Sequence, residues 1–185
     1  MKRTFVMIVA MLVSLSSIPA QSPPPDSEWI DYEETDPITD ESKVFLILEA
    51  DGPKNYFKTK ERLVIRATSE TIELFIIWNT FLGSDIEYFK LRGKYIGGKY
   101  IDFRVGNNPA QRTFWSNSTD GKASFYIGDI SELLQQIAKA DRFVVRCTPS
   151  YQDPITLFFN TTGLEYYLSK YKSYFPWYSS IEAIQ

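Results

Sequence analysis

The chain has 185 residues, which allows one domain with a short appendage, and it contains no histidine and one cysteine, Cys147. The missing imidazole excludes Ser-His-Asp and Cys-His nucleophiles, histidine-bearing zinc sites and imidazole as a general base, and a lone thiol excludes an intrachain disulfide or a multi-cysteine metal centre. Hydrophobic residues make up 44% and aromatic residues 16%, at a formal net charge of −3, so the composition can bury a core and is unlike that of disordered chains.

Lys2 and Arg3 precede an apolar run over residues 5–15, and Ser16-Ser17-Ile18-Pro19-Ala20 breaks it and ends in a small residue. That is the pattern of a cleavable export signal over residues 1–20, with cleavage after Ala20. The run is about half of the ~20 residues a membrane span requires, so the mature chain is expected to be without a span; an uncleaved N-terminal anchor is the alternative. Residues 21–42 carry eight acidic side chains, no basic one, and three consecutive prolines, Pro23, Pro24 and Pro25. Such a stretch reads as a flexible acidic leader, dispensable for folding, although it could fold back on the mildly basic remainder.

From residue 43 apolar side chains recur mostly with period two. Residues 44–48, 63–67 and the alternating Ile72, Leu74, Ile76 and Trp78 predict three strands, separated by turn-rich Asp51-Gly52-Pro53. Residues 86–89 lead into Gly93, Gly97 and Gly98, and Ile101, Phe103 and Val105 follow in alternation, which predicts a hairpin bent at the Gly97-Gly98 pair. Residues 111–115 and 123–127 predict two more strands around the polar turn Thr119-Asp120-Gly121-Lys122.

Asp129 and Glu132 have capping-box spacing, and Ile130, Leu133, Leu134, Ile137 and Ala138 then share one helical face. Residues 142–148 return to strand, with Cys147 on the face of Phe143 and Val145 as a small buried hydrophobe. Ile155, Leu157 and Phe159 mark a last strand, and Thr162 with Glu165 repeats the capping spacing before a second helix bearing Leu164, Tyr167, Leu168 and Tyr171. The expected fold is mainly β in the α+β class: a compact antiparallel β-sandwich-like domain over residues 43–176 with two amphipathic helices, and a tail over residues 177–185.

Together these residues resemble a known family. Leu63-Val64-Ile65-Arg66, Glu73-Leu74-Phe75-Ile76-Ile77-Trp78 with Leu82-Gly83, Trp115 with Ser118-Thr119-Asp120-Gly121-Lys122-Ala123, Val144-Val145-Arg146 with Thr148-Pro149, and Pro154-Ile155-Thr156 through Gly163-Leu164 are similar in order and spacing to the VasI/TagO family of type VI secretion accessory periplasmic proteins. The resemblance runs from about residue 44 to residue 168. It implies a periplasmic, non-enzymatic protein with a small β-rich domain, no cofactor, and other envelope or secretion-system proteins as partners. With a bacterial envelope implied, the sequons at Asn117 and Asn160 carry no glycan reading.

Against that pattern residues 90–99 read as an insertion. Between residues 90 and 112 stand Lys90, Arg92, Lys94, Lys99, Arg104 and Arg112 against Asp102 alone, interleaved with Tyr88, Phe89, Tyr95, Tyr100 and Phe103. Cations attract anionic polymers and exposed rings stack on sugars, so the stretch suits peptidoglycan or lipopolysaccharide; export argues against nucleic acid. The other reading is a hairpin with basic exposed rungs and core aromatics. Asp120, Arg112 and Trp115 could likewise form a recognition cluster, or Asp120 could serve the turn and Trp115 the core. No spacing singles out a carboxylate pair for glycosidase chemistry. An envelope glycan or anionic-polymer binding module is thus the alternative to a secretion accessory.

Overall fold

Alternating apolar side chains make most of the regular structure strand, and that alternation decides which side of each strand meets the core. The computed structural model describes residues 22–52, 59–83 and 87–178; the expected export signal and its expected cleavage point lie outside them. Among the described residues ten strands form: β1 Ile30–Thr35, β2 Ser42–Glu49, β3 Arg62–Ala67, β4 Ile72–Ile77, β5 Glu87–Leu91, β6 Lys94–Val105, β7 Gln111–Asn117, β8 Ala123–Tyr126, β9 Arg142–Cys147 and β10 Ile155–Asn160. Helix α1, Ile130–Ala138, follows β8, and α2, Leu164–Lys170, follows β10.

The strands join one antiparallel sheet in the order β1-β2-β3-β4-β8-β7-β6-β9-β10, with β5 paired to β6 off that path. Val64, Phe75 and Ala123 form a smaller separate cluster, and the sheet coils over one main core. Leu46 and Leu48 of β2, Ile65 of β3, Ile76 of β4, Phe103 of β6, Trp115 of β7, Phe143 of β9 and Phe159 of β10 meet there with Leu134 and Ile137 of α1 and Leu168 of α2. Its ends approach without a ladder closing them: the Asp51 N–H, just past β2, donates to the Phe158 carbonyl of β10 at 2.8 Å. The fold is therefore mainly β with two helices, and its strands belong to one continuous sheet. Cys147 is buried in this core.

Helix α1 starts as its spacing predicts, with the Asp129 carboxylate accepting the Glu132 N–H at 2.9 Å. Helix α2 does not use Thr162. Gly163, at φ 90°, leads into it without a side-chain cap, and a Cβ there would meet the Ser27 Oγ at 2.6 Å. The glycine lets the N-terminal segment cross the helix start.

That crossing corrects the leader. Residues 22–42 are not a loose appendage: β1 pairs with β2 over six residues, from Ile30 opposite Ile47 to Thr35 opposite Ser42. Trp29 is buried, its indole N–H donating to the Thr161 carbonyl at 3.3 Å, and its own carbonyl accepts the Tyr167 hydroxyl at 3.0 Å. Three of the eight acids that suggested disorder have partners. Asp31 accepts from Lys170 Nζ and the Tyr171 hydroxyl, each at 2.5 Å, and Glu33 from the Tyr174 hydroxyl at 2.8 Å. Asp36 accepts the N–H groups of Ile38 and Thr39 and so builds the β1–β2 turn.

Two further expectations change. The tail expected from residue 177 begins later, because Trp177 packs on the core and Tyr178 is buried in it; residues 179–185 lie outside the described residues. Gly97 and Gly98 are not a bend but sit inside β6, and the two-residue turn is Arg92-Gly93, at φ 49° and 82°. Gly98 is needed for close approach, since a Cβ there would fall 1.9 Å from the Trp115 carbonyl oxygen.

Candidate functional site

One edge of β6 changes partner along its length. Residues 94–98 pair with β5 and residues 102–105 pair with β9, so residues 99–101 lie between the two ladders. The chain leaving β9 diverges there and opens a cleft of about 300 Å³, lined by Lys99, Tyr100, Asp102, Arg112, Arg146 and the 148–152 turn. A second hollow of about 220 Å³ adjoins it through Asp102 and Arg146 and is reached by Arg104.

The register explains this assembly. Asp102 lies opposite Arg112 of β7 on one side and Arg146 of β9 on the other, on the outer face of the sheet. The Arg112 guanidinium sits 3.7 Å from the Asp102 carboxylate and 5.5 Å over the Tyr100 ring, and the Arg146 Nε donates to the Thr156 hydroxyl at 2.9 Å. Lys99 is only 7% exposed, with its ammonium 3.5 Å from the Thr148 carbonyl and 3.4 Å from the Ser150 hydroxyl. Two guanidinium groups thus flank one carboxylate, while the Lys99 ammonium is bound to the turn at the rim.

The turn at the rim is held from below. Ser150 donates its N–H at 2.9 Å and its hydroxyl at 3.2 Å to the Leu82 carbonyl. Tyr151 then stands at φ 58° with its ring fully exposed. A bulky residue at positive φ is strained, and such strain collects at functional sites.

The residues singled out from the sequence divide among three places. Lys99, Tyr100 and Arg112 line the cleft, and Arg104 lines the hollow beside it. Lys90, Arg92, Lys94 and Tyr95 belong to the β5–β6 hairpin, where they are exposed together with Tyr88. Phe89 anchors that hairpin by stacking on Phe114, centroids 5.4 Å apart. Trp115 and Asp120 are in neither place.

The expected cluster of Asp120, Arg112 and Trp115 does not form. Arg112 and Trp115 are three residues apart in β7 and face opposite sides of the sheet; Trp115 is completely buried in the core, its indole N–H donating to the Thr113 hydroxyl at 2.9 Å. Asp120 builds its turn, accepting the Ser118 hydroxyl at 2.6 Å and the Lys122 N–H at 3.1 Å. The Ser118 hydroxyl and then that N–H hold its carboxyl below the usual range. Arg146, Ser150 and Tyr151 are the site residues that sequence reading missed.

Among the described residues no three His, Cys, Asp or Glu side chains are grouped to hold a metal ion, and no helix is long and apolar enough to cross a membrane. No family model matches the chain, and no curated protein matches it by sequence. The fold is similar to that of invasion associated protein B from Bartonella henselae, with a TM-score of 0.54 over 81% of this chain and 94% of that one, at 9% identity.

Proposed function

We propose that this chain is a periplasmic, non-enzymatic accessory protein that acts through contacts with other envelope proteins, in association with the type VI secretion apparatus. One observation carries the reading: the residues of the VasI/TagO resemblance are the ones that frame this domain. Trp78 donates its indole N–H to the buried Ser124 hydroxyl, and Trp115 fills the core. Ser118, Asp120 and Gly121 tie the β7–β8 turn to Leu82, whose N–H donates to the Gly121 carbonyl. An exported start agrees with a periplasmic address, and the name of the similarly folded invasion associated protein agrees with an accessory role. Deleting the gene should abolish export of secretion effectors and leave growth intact, with rescue by the full chain. Unchanged effector export, or a full-length unprocessed protein in the cytoplasm, would overturn the assignment.

A second reading, a module that binds an anionic envelope polymer, is favoured by the hairpin, which exposes Lys90, Arg92 and Lys94 beside Tyr88 and Tyr95, each of these tyrosines 71% exposed. Pull-down of the purified protein on peptidoglycan and on lipopolysaccharide tests it. Retention that falls with added salt supports the module, and no retention on either polymer removes it.

A further inference from the structure

We propose that the cleft at the β6 partner switch is a binding site for one pyranose unit bearing an anionic oxygen group, phosphate or carboxylate. This deepens the polymer-binding reading and rests on it, but moves the specific contact from the hairpin to the sheet. Three features converge there. The cleft, at about 300 Å³, lies at the small end of ligand sites, which span ~300–1,000 Å³, and suits a single ring better than an extended chain. Its outer face is rich in positive charge: Arg112 and Arg146 flank Asp102 there, in a protein whose net charge is −3. Arg112 and Arg146 flank Asp102 on neighbouring strands, so an anion at the mouth meets two planar guanidinium forks, whose fixed donors match carboxylate and phosphate oxygens.

The third feature is the exposed ring. Tyr151 is fully exposed at positive φ on the rim, on a turn whose Ser150 is bonded twice to Leu82. Nothing in core packing requires a tyrosine there, whereas a sugar face stacks on an aromatic ring held at a cleft edge. Thr148, Ser150 and Gln152 supply neutral polar groups for ring hydroxyls. The adjoining hollow continues past Arg146 to Arg104, so a further anionic unit of the same polymer has a cation within reach.

The test titrates glucose 1-phosphate, galacturonate and neutral glucose into the purified full chain, followed by calorimetry or amide chemical shifts. Saturable binding of at least one charged sugar, more than tenfold tighter than glucose, is expected, and the tighter of the two identifies phosphate or carboxylate as the group read. Arg146→Gln should weaken it more than tenfold. Tyr151→Asn, which keeps a residue tolerant of positive φ, should weaken it several-fold at every salt concentration, while Lys172→Ser in the turn after α2 leaves it unchanged. Thermal melting of each variant separates lost binding from lost folding, since Arg146 and Tyr151 are both exposed. Equal affinity for glucose, or wild-type affinity in Arg146→Gln, would overturn the site. Loss confined to Lys94→Ser would overturn it too while leaving polymer binding, through the hairpin, intact. Failure of every sugar together with failure of both polymer pull-downs would remove the polymer reading itself.

Discussion

Strand β1 and the β5–β6 hairpin are both short, aromatic and dominated by charge of one sign, and the fold treats them in opposite ways. The acidic strand is tied down through Trp29 and three carboxylate contacts with α2 and the residues after it. The basic hairpin holds to the domain by its ladder to β6 and the Phe89–Phe114 stack, and leaves its cations in water. Charge density therefore does not decide whether a segment is structural. A buried anchor does: one indole and the partners of Asp31 and Glu33 convert an apparently disordered composition into a strand. The contrast can be broken or sharpened by substitution.

The largest effect is expected at the anchor. Trp29→Ala removes a buried indole and its hydrogen bond to Thr161, which should cost about 3–5 kcal/mol and lower the thermal midpoint by roughly 10 °C for a domain of this size. A chain beginning at Ser42 should lose more, because it also strips β1 from β2 and leaves β2 as a bare edge open to aggregation. Circular-dichroism melting of the purified variants checks both. Melting unchanged from the full chain would mean that β1 contributes nothing and would erase the contrast.

Glycine substitutions separate the body of β6 from the hairpin tip. Gly98→Ala forces a Cβ against the Trp115 backbone and should cost about 2–3 kcal/mol. Gly93→Ala, at φ 82° in the turn with open space around it, should cost only about 1 kcal/mol for the left-handed backbone. Urea midpoints in the opposite order would mean that the hairpin turn, not the β6–β7 contact, limits stability.

The strap should also give β1 an acid dependence that the hairpin lacks. Burial alone would raise the Asp31 carboxyl, but the Lys170 ammonium and the Tyr171 hydroxyl outweigh it and hold the group below its ordinary value. A depressed carboxyl stabilises the fold fully above the unfolded-state value and loses that contribution as pH falls through the lower folded-state value. Lys170, raised chiefly by the same hydrogen bond, keeps its contribution through neutral pH and loses it only far into the alkaline range. With Lys170 partly in solvent, Asp31→Asn should cost about 1 kcal/mol at pH 7, and the variant should lose less stability than the parent between pH 7 and pH 3. An equal loss in both proteins, read from urea midpoints, would show that the pair is screened out.

What could be read from the sequence follows the range of the interactions. Period-two alternation placed β4, the second half of β6 and β10, short apolar runs placed β2 and β3, and the Asp129–Glu132 spacing placed α1, because each pattern is complete within one local window. Strand β1 escaped because the side-chain anchors that hold it are 132 to 141 residues away and because its only apolar residues, Ile30 and Tyr32, stand among acids and lie exposed. The Gly97-Gly98 pair misled for the same reason: the constraint on Gly98 is Trp115, on another strand. Half the cleft was legible as a cluster of cations near Tyr100, but Arg146 joins it only through the β6–β9 register, and Tyr151 only through a turn pinned to Leu82. The separation of Arg112 from Trp115 was available in advance, since residues three apart in a strand face opposite sides.

The smallest effect on stability belongs to the hairpin surface, and there binding is the sharper measurement. Lys94 and Tyr95 are exposed and sit next to the turn, so Lys94→Ser and Tyr95→Ala should each change stability by less than ~0.5 kcal/mol. If the hairpin gathers an anionic polymer without reading it, Lys94→Ser should weaken lipopolysaccharide retention modestly and flatten its dependence on salt, because the attraction of an exposed charge is screened within ~8 Å at physiological ionic strength. Tyr95→Ala should weaken retention by a similar factor at low and high salt, since ring stacking carries no net charge. A hairpin whose tyrosine change unfolds the domain would be structural after all and would join β1 on the other side of the contrast; one whose lysine change leaves the salt dependence intact would hand the electrostatic role to the cations around Asp102.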